Sequence, residues 1–270
     1  MYSIGIIQGR LSLPMNNRLQ FFPLDWESEF LRAKQMGFDH IAWFLDRDIL
    51  GFDPINDIWL KPEIVKRIDK LGQIIPISSV DAGRYPTCGP SRQDTIDQFS
   101  KLLPVLIPRL STGVINIPLL EDYAPKTSAE KLESIDTLKQ ILAVAEIAGG
   151  RIGLETEMPV SELKEFIDGF EDKNIGVCYD TGNCASYGFD CAKDIRKLGS
   201  RIFEVHLKDR KLGSTKSLTL GTGDANLKEC FDSLAFIGYR GILTLQAWRG
   251  EDYLADARTQ FAFVKKLLST

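Results

Sequence analysis

Residues 151–210 read RIGLETEMPVSELKEFIDGFEDKNIGVCYDTGNCASYGFDCAKDIRKLGSRIFEVHLKDR. Three short apolar, β-branched runs (151–157, 175–183 and 202–210) alternate here with two amphipathic stretches of helical period (161–170 and 191–198). Strand-like runs alternating with helical stretches in this way point to a parallel sheet. Outward from this stretch the same unit recurs. Further apolar runs lie at 4–10, 40–45, 75–82, 114–120 and 241–248, and successive runs begin 24 to 39 residues apart. That spacing is a strand plus a crossover helix.

Helical patterns fill the intervals. Residues 25–36 start at a capping Asp25 and stop at Gly37, and 62–71 open with Pro62 at the first helical position. Residues 128–148 carry an apolar face with Gly149 and Gly150 beyond the end, and 227–236 and 252–268 read alike. The pattern at 91–107 is weaker, because Pro104 is expected to kink or divide it. Eight strands alternating with eight helices, without a hairpin signal, predict an α/β fold. Eight is the number that closes a (β/α)8 TIM barrel, and residues 1–270 are expected to form one such domain. An open doubly wound sheet would show a Gly-rich phosphate loop after its first strand, and Gly5-x-x-x-Gly9 is not one.

Composition removes other classes. The chain is 44% hydrophobic and 26% charged, with 33 Lys and Arg against 37 Asp and Glu, a net charge of −4 and a pI near 5.4. That balance opposes nucleic-acid binding. No run approaches the roughly 18 apolar residues of a membrane span. The start has no basic region followed by an apolar one, so a cytoplasmic location is expected. The five cysteines are odd in number and lack C-x-x-C spacing, which argues against disulfides and zinc-thiolate sites; they read as small buried hydrophobes.

In a barrel, alternate strand residues point inward and function gathers at the C-terminal strand ends. The fifth run ends Gly-Leu-Glu155-Thr-Glu157 and the sixth Cys-Tyr-Asp180-Thr-Gly-Asn183. The seventh ends Val-His206-Leu-Lys208-Asp-Arg210 and the eighth Thr-Leu-Gln246-Ala-Trp248. Any one of these polar residues alone reads as a satisfied structural group. Four consecutive strands ending this way read as a site. Buried carboxylates need a compensating charge, and a divalent cation held by Glu155, Asp180, His206 and Gln246 supplies it. Such an O/N donor set suits Mn²⁺, Mg²⁺, Co²⁺ or Zn²⁺. Arg10, Arg84, Lys208, Arg210 and Arg249 lie near strand ends, where cations would orient an anionic substrate. Lys208 shares the inward parity of His206, and Arg10 that of Gln8. His40, the other histidine, opens the second strand and reads as structural.

These residues carry a family resemblance. Gln8-Gly9-Arg10, Tyr179-Asp180-Thr181-Gly182-Asn183, Val205-His206-Leu207-Lys208-Asp209-Arg210, Leu220-Gly221-Thr222-Gly223 and Gly238-Tyr239-Arg240-Gly241 occur in order. In them the chain resembles the xylose-isomerase-like TIM-barrel superfamily, in its sugar phosphate isomerase/epimerase group, a fold shared with endonuclease IV. The resemblance implies a metal, Mn²⁺ first, held by Glu, Asp, His and a second Glu at the ends of strands five to eight. Carried over, these are Glu155, Asp180, His206 and Gln246. The last departs from the pattern, and so does Ala42 before Trp43, where the group commonly has Glu. The resemblance further implies a small sugar or sugar phosphate as substrate, and barrels of this group often pair as homodimers.

In the group's epimerases two glutamates stand on opposite faces of the substrate; one removes a proton from the carbon beside the carbonyl, the other returns a proton to the opposite side, and the metal stabilises the enediolate. Glutamine cannot carry that proton. Glu155 remains as the base, which leans the chemistry toward aldose–ketose isomerisation unless Lys208, Glu157 or Asp81 supplies the second acid. Glu155 and Lys208 are thus the catalytic candidates, and Arg10, Glu157, Asn183 and Arg210 the substrate-binding ones. A lyase acting on a keto-polyol or sugar acid would use the same base. Ala42 and Gln246 also leave open a catalytically degenerate barrel that only binds. A nuclease of the endonuclease IV type would need more than the two histidines present.

Overall fold

The computed structural model describes residues 2–15, 18–45 and 59–269. Its strands are β1 (Ser3–Ile7), β2 (His40–Leu45), β3 (Ile77–Ala82), β4 (Leu110–Leu119), β5 (Arg151–Thr156), β6 (Ile175–Asp180), β7 (Ile202–Leu207) and β8 (Ile242–Leu245). They are parallel, run in chain order and close, so the chain is a single (β/α)8 TIM barrel. The helices among the described residues are α1 (Trp26–Met36), α2 (Pro62–Gly72), α3 (Arg92–Leu106), α4 (Ser128–Ile147), α5 (Val160–Asp168), α6 (Thr181–Tyr187), α7 (Cys191–Leu198), α8 (Leu227–Phe236) and α9 (Tyr253–Leu268).

Local chemistry explains most of the boundaries. Gly37 ends α1 in the left-handed conformation at φ 86°, and Pro62 opens α2. Thr127 and Glu130 form a reciprocal capping box on α4. Pro104 does not divide α3. It falls in the last turn, where one lost hydrogen bond is tolerated, and a short 3₁₀ turn (Ile107–Arg109) follows. The C-terminal strand ends are shorter than the apolar runs suggest. Strands β1, β5, β7 and β8 stop before Arg10, Glu157, Arg210 and Trp248, and residues 181–183 belong to α6 instead of β6. Apolar character continues into the loops because these are buried, whereas ladder pairing ends where the chain leaves the barrel.

Two compact units emerge, residues 1–42 with 178–270, and residues 43–177. In the first, β1 pairs with β2 and β8, and β8 with β7. The register places Gly5, His40, Thr244 and His206 side by side, so they share one face, the barrel interior. One step toward the strand starts on that face are Ser3, Ile242 and Glu204. One step toward the strand ends are Ile7, Ala42 and, beyond the ladders, Gln246 and Lys208. The alternate positions, Ile4, Ile6, Ile41, Val205, Leu207, Leu243 and Leu245, are buried and apolar. Gly5 is required by this layer. A Cβ there would lie 2.0 Å from Nδ1 of His40, whose ring fills the space.

In the second unit β3 pairs with β4, β4 with β5, and β5 with the start of β6. A register shift between Ile77 and Ser79 lets β4 run to ten residues, longer than its apolar run implies.

Candidate active site

The strand ends of the first unit assemble a polar cluster. Asp180 ends β6 and caps α6, its Oδ1 accepting from the amides of Gly182 (2.7 Å) and Asn183 (2.9 Å). That cap turns the carboxylate, and Oδ2 faces Lys208 Nζ at 3.7 Å. The Lys208 ammonium also donates to Gln246 Oε1 at 3.1 Å. One cation therefore joins the ends of β6, β7 and β8. Thr181 holds the join from behind: its hydroxyl donates to the Lys208 carbonyl (2.6 Å) and accepts from the Lys208 amide (3.0 Å). Gly182 is needed for this approach, because a Cβ would sit 2.9 Å from Lys208 Cγ and 3.0 Å from its Cβ.

His206 is fully buried one layer below Lys208, with a ring nitrogen within 4.8 Å of Cys178 Sγ. Its Nε2 is 3.6 Å from Glu204 Oε1. Cys178 is buried, as expected of a small hydrophobe, and its sulfur lies close enough to the imidazole for the two to share a metal ion. Asn183 and Arg210 meet as well, the guanidinium donating to Asn183 Oδ1 at 2.6 Å. The loop after Arg210 is anchored by Asp209, which accepts from the amides of Gly221 (2.8 Å), Gly223 (2.9 Å) and Ala225 (3.0 Å). The Leu220-Gly221-Thr222-Gly223 motif is a loop built around one carboxylate.

Arg10 lies behind this cluster. Its guanidinium donates to the carbonyls of Ala247 (2.8 Å), Leu19 (2.5 Å) and Gln246 (3.1 Å). It fixes the backbone that carries Gln246, a duty its expected substrate-binding role did not include. The turn bearing Arg10 is held by Glu29 of α1, which accepts from the amides of Gly9 and Leu11 and from the Ser12 hydroxyl. Burial pushes the Glu29 carboxyl up to about 7 against those lowering hydrogen bonds. Arg249 donates to the Gly9 carbonyl at 2.7 Å, and its burial lowers the guanidinium from its ordinary value.

In the second unit Glu155 is buried near the end of β5, in register with Pro118 of β4. Glu157 lies beyond the strand and is half-buried, its Oε1 accepting from the Glu121 amide at 3.1 Å. Asp81 is buried toward the end of β3, and Arg84 is exposed. Sequence reasoning did not single out Glu204 or Glu29, and it read Cys178 as a small buried hydrophobe, which its burial bears out. A lone acid inside an apolar strand, or on a helix, carries no pattern that marks its partner.

The donors fit a divalent cation. Asp180 Oδ2 and Gln246 Oε1 already flank an ammonium, so this end of the barrel is built for positive charge. Carboxylate, amide oxygen and imidazole form an O/N set for a metal of intermediate hardness.

Residues 30–267 match the xylose isomerase-like TIM barrel family, and the chain belongs to it. Among relatives, L-ribulose-5-phosphate 3-epimerase of Escherichia coli K12 is 22% identical over 254 residues, 89% of each chain. An uncharacterized protein of Methanocaldococcus jannaschii is 29% identical over 124 residues, so the matched stretch spans 42% of each. Among solved structures, D-psicose 3-epimerase with D-tagatose from Clostridium cellulolyticum H10 superposes with a TM-score of 0.73 at 18% identity, covering 99% of both chains. The IOLI protein with a bound zinc atom gives 0.76 at 16% identity, covering 100% of this chain and 98% of that one.

Proposed function

We propose that this chain is a divalent-metal-dependent isomerase or epimerase of a sugar or sugar phosphate, with Glu155 as the base. The observation that carries the reading is Lys208 Nζ, hydrogen-bonded to Gln246 Oε1 and facing Asp180 Oδ2. Where the resembled group has a second glutamate, this chain pairs a neutral amide with an ammonium. The sugar epimerases among its relatives support the substrate class.

Glu155, Asp180, His206 and Gln246 would hold the metal. A bound divalent cation would supply Lewis acidity to the substrate's carbonyl and hydroxyl oxygens. Mn²⁺ suits the oxygen donors, and the Cys178 thiol would tilt the site toward Zn²⁺ or Co²⁺. Glu155 takes a proton from the carbon beside the carbonyl. Returning it to the adjacent carbon on the same face is aldose–ketose isomerisation. Lys208 can deliver a proton from its own side, which inverts the carbon instead. Arg210, held by Asn183, presents a cation to a phosphate or carboxylate, with Arg10 and Glu157 shaping the surrounding loops. A dehydration is favoured over both where Lys208 protonates a departing β-hydroxyl.

We place this activity in a single domain of residues 1–270, in the cytoplasm, on a small molecule without nucleic acid. No helix of the described residues is long and apolar enough to cross a membrane. Metal analysis of the purified protein, followed by incubation with ketoses and ketose phosphates and NMR of the products, tests the reading. An isomer or epimer formed only with metal is expected. Tight sugar binding without turnover under any metal would point to a binding protein, and an unsaturated, ultraviolet-absorbing product to a lyase.

A further inference from the structure

Glu204 is wholly buried in β7, on the interior face, one layer below His206. A carboxylate there is costly unless it is matched by donors. Its Oε1 accepts from the Thr244 hydroxyl at 2.5 Å and lies 3.6 Å from His206 Nε2. Thr244 is in register with His206, which fixes the carboxylate below the imidazole. The chain's only other histidine, His40, also feels Glu204, whose charge opposes the lowering that burial imposes on that imidazole. Both histidines of the protein thus lie around one buried acid.

We propose that Glu204 is a positioning residue that holds His206 as the Nε2–H tautomer and presents Nδ1 to the metal. This rests on the assignment of His206 as a metal ligand. The nitrogen turned to the carboxylate is Nε2, 3.6 Å from Glu204 Oε1, which leaves Nδ1 as the nitrogen that would engage a cation. Carboxylates that orient a ligating imidazole in this way raise its basicity, and losing one typically weakens metal binding 10–100-fold. Thr244 completes the device by fixing the carboxylate, so that the acid is itself oriented.

The test uses full-length, metal-stripped protein labelled with ¹⁵N in its two histidines, with a His40→Gln variant assigning the signals. Long-range ¹H–¹⁵N correlation reports the His206 tautomer, and calorimetric titration with Mn²⁺ reports affinity. Wild type is expected to show Nε2–H. Glu204→Ala is expected to give mixed tautomers and at least about tenfold weaker Mn²⁺ binding. Glu204→Gln, which keeps a carbonyl acceptor, is expected to keep Nε2–H with an intermediate loss of affinity. If the alanine variant fails to fold, the glutamine variant decides on affinity alone, and wild-type affinity there overturns the proposal. A loss of affinity in Glu204→Ala with an unchanged tautomer also overturns it, since removal of a nearby charge would then account for the effect. Absence of Mn²⁺ binding in wild type would count against the proposed function. The tautomer in Glu204→Ala then still decides the role of Glu204: a mixture supports it and pure Nε2–H refutes it.

Discussion

Lys208 holds the position where two chemistries diverge. Its ammonium is 3.1 Å from Gln246 Oε1 and 3.7 Å from Asp180 Oδ2, and in the proposed reaction it serves as a proton donor or as a tether for these two side chains. Lys208→Met separates these roles. As a donor, its loss should lower epimer formation roughly 100-fold or more while Glu155 still exchanges the substrate proton within about tenfold of wild type. Equal loss of both products would assign Lys208 to positioning alone. Gln246→Glu asks the complementary question. A carboxylate there meets Lys208 and gains an ion pair, so the fold should hold, divalent-metal affinity should rise and epimerase activity should appear or increase. Unchanged or weaker metal binding with a lower Tm would remove Gln246 from the ligand set. At this scale the sequence was readable for placement, since Asp180, His206 and Gln246 do lie at or beside the ends of β6, β7 and β8. Glu204 was not, because its neighbours Thr244 and His206 come from strand register, which no single strand reveals.

Elements set how these side chains are held. The turn after β1 depends on α1 through Glu29, whose carboxyl is raised to about 7 chiefly by burial. A carboxyl raised above its unfolded value binds its proton more tightly when folded. Its stabilising contribution is therefore full below about pH 4.5 and is lost as pH rises through about 7. Compared by urea unfolding, the stability difference between wild type and Glu29→Gln should change by about 2–3 kcal/mol between pH 5 and 8, in favour of wild type at the acid end. A difference independent of pH would contradict this reading of Glu29. Strands and long helices were readable from period and stop signals, as with Gly37 at the end of α1, whereas the Thr127–Glu130 capping box of α4 emerges only from the structure. Helix α6 was not: Thr181, Gly182 and Asn183 continue an apolar run, and only the Asp180 side chain capping their amides turns them into a helix.

At the scale of the molecule, the barrel was readable because eight buried parallel strands leave a repeated imprint of apolar run and amphipathic helix. The family assignment over residues 30–267 agrees with that imprint. Substrate choice was less readable, because it belongs to loops whose shape is set by single anchors. Asp209, gathering three amides of the loop after β7, is one example. In the proposed function Glu155 removes a proton beside a sugar carbonyl with the help of a divalent metal. Solvent deuterium incorporation into a ketose or ketose phosphate, followed by NMR for wild type and Glu155→Gln with and without Mn²⁺, tests it most directly. Deuterium is expected at one carbon beside the carbonyl for metal-loaded wild type alone, with the variant reduced to background. Equal exchange by wild type and Glu155→Gln, or none by wild type with any metal, would contradict it.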